Sequence, residues 1–392
     1  MTYTYSGSSM STPLKITTKS TLPPPVNKPW TQHLTLDTLL RVVHHTLLNP
    51  FLAWILVLCL RAQVTPTASP AWIVSVSYAI ALSVLFVARV VNHRVAHGIP
   101  RTVDSAREVV LITGGASGLG LSIAQMYGMK GASVAVLDIK NLEEKEVTEM
   151  IGEGVGYWKC DVGERGTLER IKKEIEVKLG TPTIIVNCAA ARIHGGTLLD
   201  LPADAFEKTV RTNLLAAFHL YQVFMPGVVE AENGGTIVTV SSVLGQLSPA
   251  GLSDYSASKA GLSALHRTIE AEFRGTDQIK TLLVEVGQMA TPLFDWVRTP
   301  SNFFAPVLEP VEVAREIVAA VDSGQGGVLR LPSFAKLVNL YAVLPGAVQR
   351  LARFVSGIDR AVSSGLLQRD APDSEIPNSN RRILRSAKKR TD

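Results

Sequence analysis

The stretch Val109-Val110-Leu111-Ile112-Thr113-Gly114-Gly115-Ala116-Ser117-Gly118-Leu119-Gly120 decides the fold of this chain. A run of four apolar residues suits a strand buried on both faces, and the glycines after it suit a tight strand-to-helix turn. Such a turn lets the backbone approach a pyrophosphate, while the N–H groups and dipole of the next helix face its negative charge. Three glycines alone are a weak sign. Between a buried strand and an amphipathic helix they gain their meaning.

Outward from that turn, apolar β-branched strands alternate with helices. Strands are expected over 109–113, 134–138, 157–160, 184–187, 236–241 and 281–286, and helices from 118, after 142, over 167–178, over 206–224 and from 255. This order predicts an α/β fold, a doubly wound parallel sheet of the Rossmann pattern, with both faces covered. No internal repeat is present. The second strand ends at Asp138, about 20 residues past the last glycines, where an acid can hydrogen-bond the adenosine ribose hydroxyls. A carboxylate there would repel a 2′-phosphate. Ser117, not a basic residue, precedes Gly118, so NAD is expected ahead of NADP. Lys140 works against that preference because it can swing toward a phosphate, which keeps NADP as the alternative. The plainer role for Asp138 is a strand-end turn.

Tyr255-Ser256-Ala257-Ser258-Lys259 sets a phenol and an ammonium four residues apart on one helix face. An unperturbed tyrosine, with a pKa of about 10, is a poor base at neutral pH. The expectation is that the nearby cation favours the phenolate by about 2–3 pKa units, worth roughly 3–4 kcal/mol. A YxxxK pattern is common on surface helices, so its weight comes from following the fifth strand of a dinucleotide fold. Thr239-Val240-Ser241-Ser242 ends that strand at the carboxyl edge of the sheet, where ligands bind in this architecture. A serine there can hold a substrate oxygen beside the tyrosine, although a strand-end turn serine is the plainer reading of Ser241.

These residues together resemble the short-chain dehydrogenase/reductase superfamily over about residues 107–332. Thr113, Gly114, Gly118 and Gly120 match its glycine motif, with Ser117 and Leu119 inside the same cofactor-binding turn. The resemblance implies that Ser242, Tyr255 and Lys259 are catalytic, and that Asn213, in Arg211-Thr212-Asn213-Leu214, holds a water in a proton relay. It further implies that Lys259 binds the nicotinamide ribose, that Asp161 and Val162 contact the adenine, and that Asn187 belongs to a motif steadying the central sheet. Thr291, four residues after Gly287, matches the residue that holds the nicotinamide carboxamide. The reaction implied is hydride transfer between a nicotinamide and a hydroxyl or carbonyl carbon, with Tyr255 as acid/base. Two departures stand out. Ala190 replaces a customary glycine, narrowing room near the cofactor, and Val286-Gly287 replaces a customary Pro-Gly, freeing a fixed φ. A non-catalytic NAD-binding scaffold and an NADP-dependent ketone reductase are the rival readings.

The remaining sequence sets the surroundings. Of 392 residues, 46% are hydrophobic and 19% charged, an apolar balance for a purely soluble enzyme. The net charge of +5 sits largely in the tails, so no nucleic-acid partner is required. Cys59, Cys160 and Cys188 form no CxxC pair and no metal-ligand cluster, so neither a disulfide framework nor a metal site is expected. No N-x-S/T acceptor occurs, which fits a cytosol-facing catalytic domain.

Residues 1–40 read as a flexible Ser/Thr/Pro-rich leader. It has no acid before Asp37 but also no Arg before Arg41, which argues against a mitochondrial transit peptide. Residues 41–100 read as a hydrophobic membrane anchor with candidate helices over 47–60 and 71–91. The second reaches about 31 Å, enough for a ~30 Å hydrocarbon core, whereas the first reaches roughly 21 Å. One Arg lies in the loop between them and several basic residues flank the pair, favouring a hairpin with both ends cytosolic.

Residues 333–369 read as an amphipathic helical segment, either packed on the domain or lying on anionic lipid. Residues 370–392 form a basic tail expected to be disordered, whose end loosely resembles an endoplasmic-reticulum retrieval signal. With the amino-terminal anchor, the closest resemblance inside the superfamily is to its membrane-bound retinol and hydroxysteroid dehydrogenases. That implies a lipophilic substrate, an endoplasmic-reticulum or lipid-droplet membrane, and a homodimer as a further partner. The same resemblance makes Pro292-Leu293-Phe294-Asp295-Trp296 and Phe303-Phe304 an apolar lid; packing against core or bilayer is the alternative.

Overall fold

The computed structural model describes residues 34–294, 297, 299 and 301–362. The expected leader (residues 1–33 of it), the basic tail, and Asp295 and Trp296 of the expected lid lie outside the described residues.

Three helices come first: α1 (Leu36–His45), α2 (Pro50–Ala62) and α3 (Pro70–His97). Each of the last two starts on proline, whose fixed φ and missing N–H suit a first helical turn. The Asn49 and Ser69 side chains cap them by accepting from Phe51 N and Trp72 N. Among the described residues α3 is long and apolar enough to cross a membrane; α1 and α2, bent by 49°, meet that measure only as a pair. The hairpin closes on apolar residues, Ala53 and Val57 against Ala79 and Leu82, with Trp54 Nε1 donating to Ser83 Oγ at 3.0 Å. Its outer surface, including Phe51, Leu58, Val74 and Phe86, is exposed.

The sheet follows. β1 (Val109–Thr113), α4 (Gly118–Met129), β2 (Ser133–Asp138), α5 (Glu144–Ile151), β3 (Val155–Lys159), α6 (Arg165–Lys178) and β4 (Ile184–Asn187) form one half. The other half runs α7 (Ala203–Val210), a π turn at Arg211–Leu215, α8 (Ala216–Glu230), β5 (Gly235–Ser242), α9 (Leu244–Leu247), α10 (Ser253–Glu272), β6 (Ile279–Val286), α11 (Pro310–Asp322) and β7 (Gly327–Leu331). Two short helices, α12 (Val338–Ala342) and α13 (Gly346–Ser356), and a 3₁₀ turn at Ile358–Arg360 end the described chain. All seven strands are parallel, in the order β3-β2-β1-β4-β5-β6-β7, so the order reverses between β1 and β4.

The alternation of side chains along each strand explains why whole strands are buried. Val110, Ile112, Val134 and Val136 pack on Ile123 and Tyr127 of α4 and Ile317 and Val321 of α11. Leu111, Ala135, Leu137 and Ile185 pack on Ile171 and Ile175 of α6, Phe224 of α8 and Leu262 of α10. Both faces of the sheet are therefore core.

The structure departs from the sequence expectations in several elements. β7 and α11 were not expected; β7 is short and carries Arg330, whose Nε reaches the buried Glu285 carboxylate at 2.8 Å. The single helix expected over 206–224 is broken by the π turn. The helix expected over 71–91 continues to His97, whose carbonyl accepts from Lys280 Nζ at 3.0 Å. Packing also reaches further back than residue 107: Arg101 is buried, pairs with Glu108 at 2.8 Å and donates to Thr236 Oγ1 at 3.0 Å. Together these contacts fix the end of α3 to the amino edge of the sheet. At the carboxyl edge α1 is held instead, by Leu36 N to Phe303 O at 2.9 Å and Ser333 N to Asp37 Oδ1 at 2.7 Å.

Candidate active site

The site forms where the strand order reverses, at the carboxyl ends of β1, β4 and β5, the place this topology offers a ligand. In register, Thr113 pairs with Asn187 and Asn187 with Thr239. Thr113 Oγ1 donates to Asn187 Oδ1 at 3.0 Å and accepts from Cys188 N and Ala189 N at 3.2 and 3.1 Å, which pins the exit of β4 against the glycine turn.

The turn itself needs glycine. A Cβ on Gly120 would lie 2.3 Å from Gly114 O, and Gly114 has a φ of +66° with its own Cβ direction 3.1 Å from Ala189 Cα. A backbone stripped of side chains at the head of α4 fits a dinucleotide pyrophosphate. Thr291 lies at this turn, its Cγ2 3.4 Å from where a Gly118 Cβ would be. Ser117 and Leu119 flank Gly118 in the same turn.

Asp138 is buried at the end of β2, and both its oxygens accept backbone N–H groups, Ala116 N at 3.0 Å and Lys140 N at 3.1 Å. The carboxylate thus shapes the glycine turn as well as standing at its mouth. Lys140 Nζ donates to Ala116 O at 3.2 Å, so the ammonium rests beside the same turn. Asp161 accepts from Gly163 N at 2.8 Å within its own loop, and Val162 is buried among the residues packed on α6. Ala190 is exposed, so its methyl borders open space and not the core.

On the other side, Ser242 ends β5 opposite Val286 of β6. Its Oγ donates to Val286 O at 3.1 Å and accepts from Leu244 N at 3.2 Å, and Val243 N also reaches Val286 O at 3.1 Å. Two donors on one carbonyl hold this strand end, where Val286 stands in place of the family's customary proline. Tyr255 and Lys259 lie on α10, both buried, with Lys259 Nζ 5.9 Å from the Tyr255 ring centroid. Asn213 sits in the π turn, a local geometry often found at functional sites. Its Oδ1 accepts from Ala191 N at 2.7 Å and its Nδ2 donates to Ser258 Oγ at 2.9 Å; Ser258 Oγ in turn donates to Tyr255 O at 2.8 Å. One amide side chain therefore joins the β4 exit to the first turns of α10.

The electrostatics reverse the sequence expectation. Burial pushes the Tyr255 phenol above its ordinary value, and the opposing influence is a hydrogen bond with Ser242, not the charge of Lys259. Burial also lowers Lys259 to about 8. Its Nζ donates to Val240 O at 2.9 Å. The ammonium thus lies against the ring and the β5 backbone, where desolvation outweighs its pull on the phenol oxygen. Tyr255 rests as a proton donor.

Sequence reasoning missed three contributors. Ser258 is the link between Asn213 and Tyr255. Asp254, buried, accepts from Tyr255 N at 2.7 Å and Thr209 Oγ1 at 2.9 Å and faces His194 Nδ1 at 3.2 Å. Ile193 and Val362 wall the phenol together with Leu252, Phe294 and Val297. The Phe294 ring stands edge-on to Tyr255, centroids 5.6 Å apart at 90°. An acid in the first turn of the tyrosine helix was the one available signal; apart from Leu252, the wall comes from segments distant in sequence.

Comparison with known proteins agrees with this geometry. The short chain dehydrogenase family model matches residues 108–301. An uncharacterized oxidoreductase of Saccharomyces cerevisiae is 30% identical over 269 residues, 67% of this chain and 86% of its own. Human short-chain dehydrogenase/reductase 3 is 34% identical over 256 residues, 64% of this chain and 84% of its own. Human retinol dehydrogenase 10 is 30% identical over 308 residues, 69% and 88% of the two chains. A glycine turn at the reversal of a parallel sheet, the match to the family model, and relatives that align with this chain along most of their length lead to one conclusion: the chain belongs to the short-chain dehydrogenase family, NAD(P)-dependent oxidoreductases acting on CH–OH groups.

Proposed function

We propose that this protein is a membrane-anchored dehydrogenase/reductase that interconverts a hydroxyl and a carbonyl on a lipophilic substrate, using NAD in preference to NADP. The observation that carries the reading is the apolar enclosure of Tyr255 by Ile193, Leu252, Phe294, Val297 and Val362. A substrate oxygen reaching the phenol must bring its carbon skeleton against these side chains, which favours an apolar body over a hydrated one. The names of retinol dehydrogenase 10 and of epidermal retinol dehydrogenase 2 of Mus musculus point the same way.

In this reading the Gly114–Gly120 turn, Asp138, Asp161, Val162, Asn187, Lys259 and Thr291 hold the dinucleotide. When bound, its nicotinamide supplies the two-electron redox partner of the substrate carbon. Ser242 orients the substrate oxygen. Tyr255 gives its proton to that oxygen in reduction and takes it back in oxidation, as general acid and base. Asn213 keeps α10 in register with the β4 exit and supports the proton relay, and Lys259, held by Val240 O beneath the ring, is the residue that reaches the nicotinamide ribose.

NAD preference rests on the Asp138 carboxylate at the end of β2. Lys140, at the same turn, is the observation that favours NADP, so both cofactors belong in the assay. Helix α3, with the bent α1–α2 pair, forms the anchor in this reading. The endoplasmic reticulum is the first membrane to test with organelle markers.

The deciding experiment gives purified protein NAD or NADP with retinols, steroids, long-chain alcohols and small polar alcohols. Turnover confined to small polar alcohols would overturn the lipophilic reading. Tyr255→Phe should keep cofactor affinity while losing turnover by about 10²–10⁴-fold, the usual worth of a positioned acid/base. A variant that kept full turnover would remove Tyr255 from the mechanism.

A further inference from the structure

Helix α13 is amphipathic the wrong way round for a helix packed on a soluble domain. Its polar side holds the protein. Arg353 donates to Leu247 O at 2.6 Å and Ser248 O at 3.1 Å and pairs with Asp359, and Gln349 Nε2 donates to Leu344 O at 2.8 Å. The opposite side carries Val348, Leu351, Phe354 and Val355, the last three 61%, 70% and 76% exposed, and no residue of the helix is buried. At 100° per residue these four side chains fall on one continuous arc. A helix that spends its polar contacts on its own domain and turns its apolar arc outward is arranged to meet something apolar.

Three further observations say what that is. The helix carries no acidic residue, and although Arg353 is taken up by Asp359 and two carbonyls, Arg350 is exposed and lines, with Phe354 and Arg360, a groove of about 500 Å³ beside the helix. This suits phosphate headgroups above an acyl layer. Exposed apolar residues continue at Leu337 before α12, Leu340 on it and Val343 just after it. Helix α1, which leads directly into the apolar α2–α3 hairpin, is tied to the same carboxyl edge through Phe303 and Ser333.

The helix is also coupled to the site. Leu247 and Ser248 lie between Ser242 and Tyr255, Asp359 accepts from Ala250 N at 3.1 Å, and Val362 stands in the apolar wall of Tyr255. We propose that α13 lies in the headgroup layer of an anionic membrane, its apolar arc toward the acyl chains, so that the mouth beside Tyr255 takes its substrate directly from lipid. This deepens the lipophilic-substrate reading and rests on it for the substrate, but not for the membrane contact.

The test uses the full chain in vesicles of phosphatidylcholine with and without phosphatidylserine. One nitroxide label is placed on native Cys59 of α2, which is exposed, and in a second protein on L351C in a C59S background, with C59S alone as the labelling blank. The proposal expects the label at 351 to be relaxed by lipid-soluble oxygen and shielded from a water-soluble nickel chelate, more strongly with phosphatidylserine present. A label at 351 open to the chelate while that at 59 is shielded overturns the proposal and leaves anchoring intact. Both labels open to the chelate overturn both. A label at 351 shielded from both relaxers, with spin–spin coupling between chains, means a second copy covers the face and also overturns it.

Activity supplies the second arm. L351E/F354E, at exposed positions, should raise KM for a vesicle-borne alcohol at least tenfold, with kcat and the KM in detergent micelles unchanged. An equal KM in both settings overturns direct uptake from lipid. If no alcohol is turned over by the unaltered protein, the proposed reaction fails and the labels still decide the membrane contact.

Discussion

Replacing Lys259 with methionine should remove a pH dependence that the buried ammonium imposes on the whole fold. Burial lowers this group from 10.5 to about 8. That difference of about 2.5 units corresponds to roughly 3.5 kcal/mol, since each unit is worth about 1.4 kcal/mol. The sign follows from where each state holds its proton. The folded pKa lies below the unfolded one, so between pH 8 and 10.5 the unfolded chain binds a proton that the folded chain has already lost. Stability from this group therefore rises with pH across that window. Tyr255 acts the other way only above about pH 10, because its folded pKa is raised and the unfolded phenol ionises first.

At neutral pH Lys259→Met also strips a donor from Val240 O, at a cost of about 1–3 kcal/mol that offsets the gain from removing the charge. The decisive quantity is the difference between two pH profiles, in which every other titrating group cancels. Between pH 7.5 and 10 the unaltered chain should gain about 2–3 kcal/mol relative to Lys259→Met. At roughly 2–4 °C per kcal/mol for a domain of this size, that is about 5–10 °C in Tm. Thermal unfolding of the detergent-solubilised protein, followed by intrinsic fluorescence without cofactor, measures it. Parallel profiles would refute the reasoning, because they would mean Lys259 holds its proton equally in both states.

Other outcomes follow from single contacts. Gly120→Ala places a methyl 2.3 Å from Gly114 O; it should cost about 1–3 kcal/mol and weaken dinucleotide binding at least tenfold by titration. Arg101→Ala leaves the Glu108 carboxylate buried without its cation and should lower stability by about 3–5 kcal/mol, with the double variant Arg101→Ala/Glu108→Ala recovering part of it in the same thermal scan. Asp138→Ala removes the acceptor of Ala116 N and the charge at the ribose end. The ratio of NAD to NADP affinity should shrink about tenfold, the scale of one hydrogen bond to a charged group at ~1.5–3 kcal/mol.

The central half of the fold was legible because it is local. Val109–Gly120 carries its meaning within twelve residues, and six apolar strands each announce themselves by composition. The fatty run of α3 was legible for the same reason. β7 escaped because its five residues include Arg330, which is tolerable only because Glu285, on the neighbouring strand, waits for it. The break in the helix around Asn213 escaped because a π turn has no residue signature; it exists to serve contacts with Ala191 and Ser258 from two other elements. The ionisation of Tyr255 was misjudged from spacing alone. Four residues on a helix bring Lys259 near the ring, but depth of burial, which no spacing reveals, decides the direction. The orientation of α13 was likewise beyond reach: its two faces are plain in the sequence, but which one meets the domain depends on carbonyls more than a hundred residues upstream.

The fastening of α3 to the sheet has a consequence for how the enzyme is carried. Lys280 grips the last carbonyl of that helix, and a few residues on Arg101 is locked beneath β5, so the connection has almost no slack. A looser tether would let the body swivel over whatever surface the helix enters. In the anchored state we propose, this one holds the body at a fixed heading, and lengthening residues 98–100 by a few glycines would set the mouth beside Tyr255 adrift without touching a single residue proposed to do chemistry.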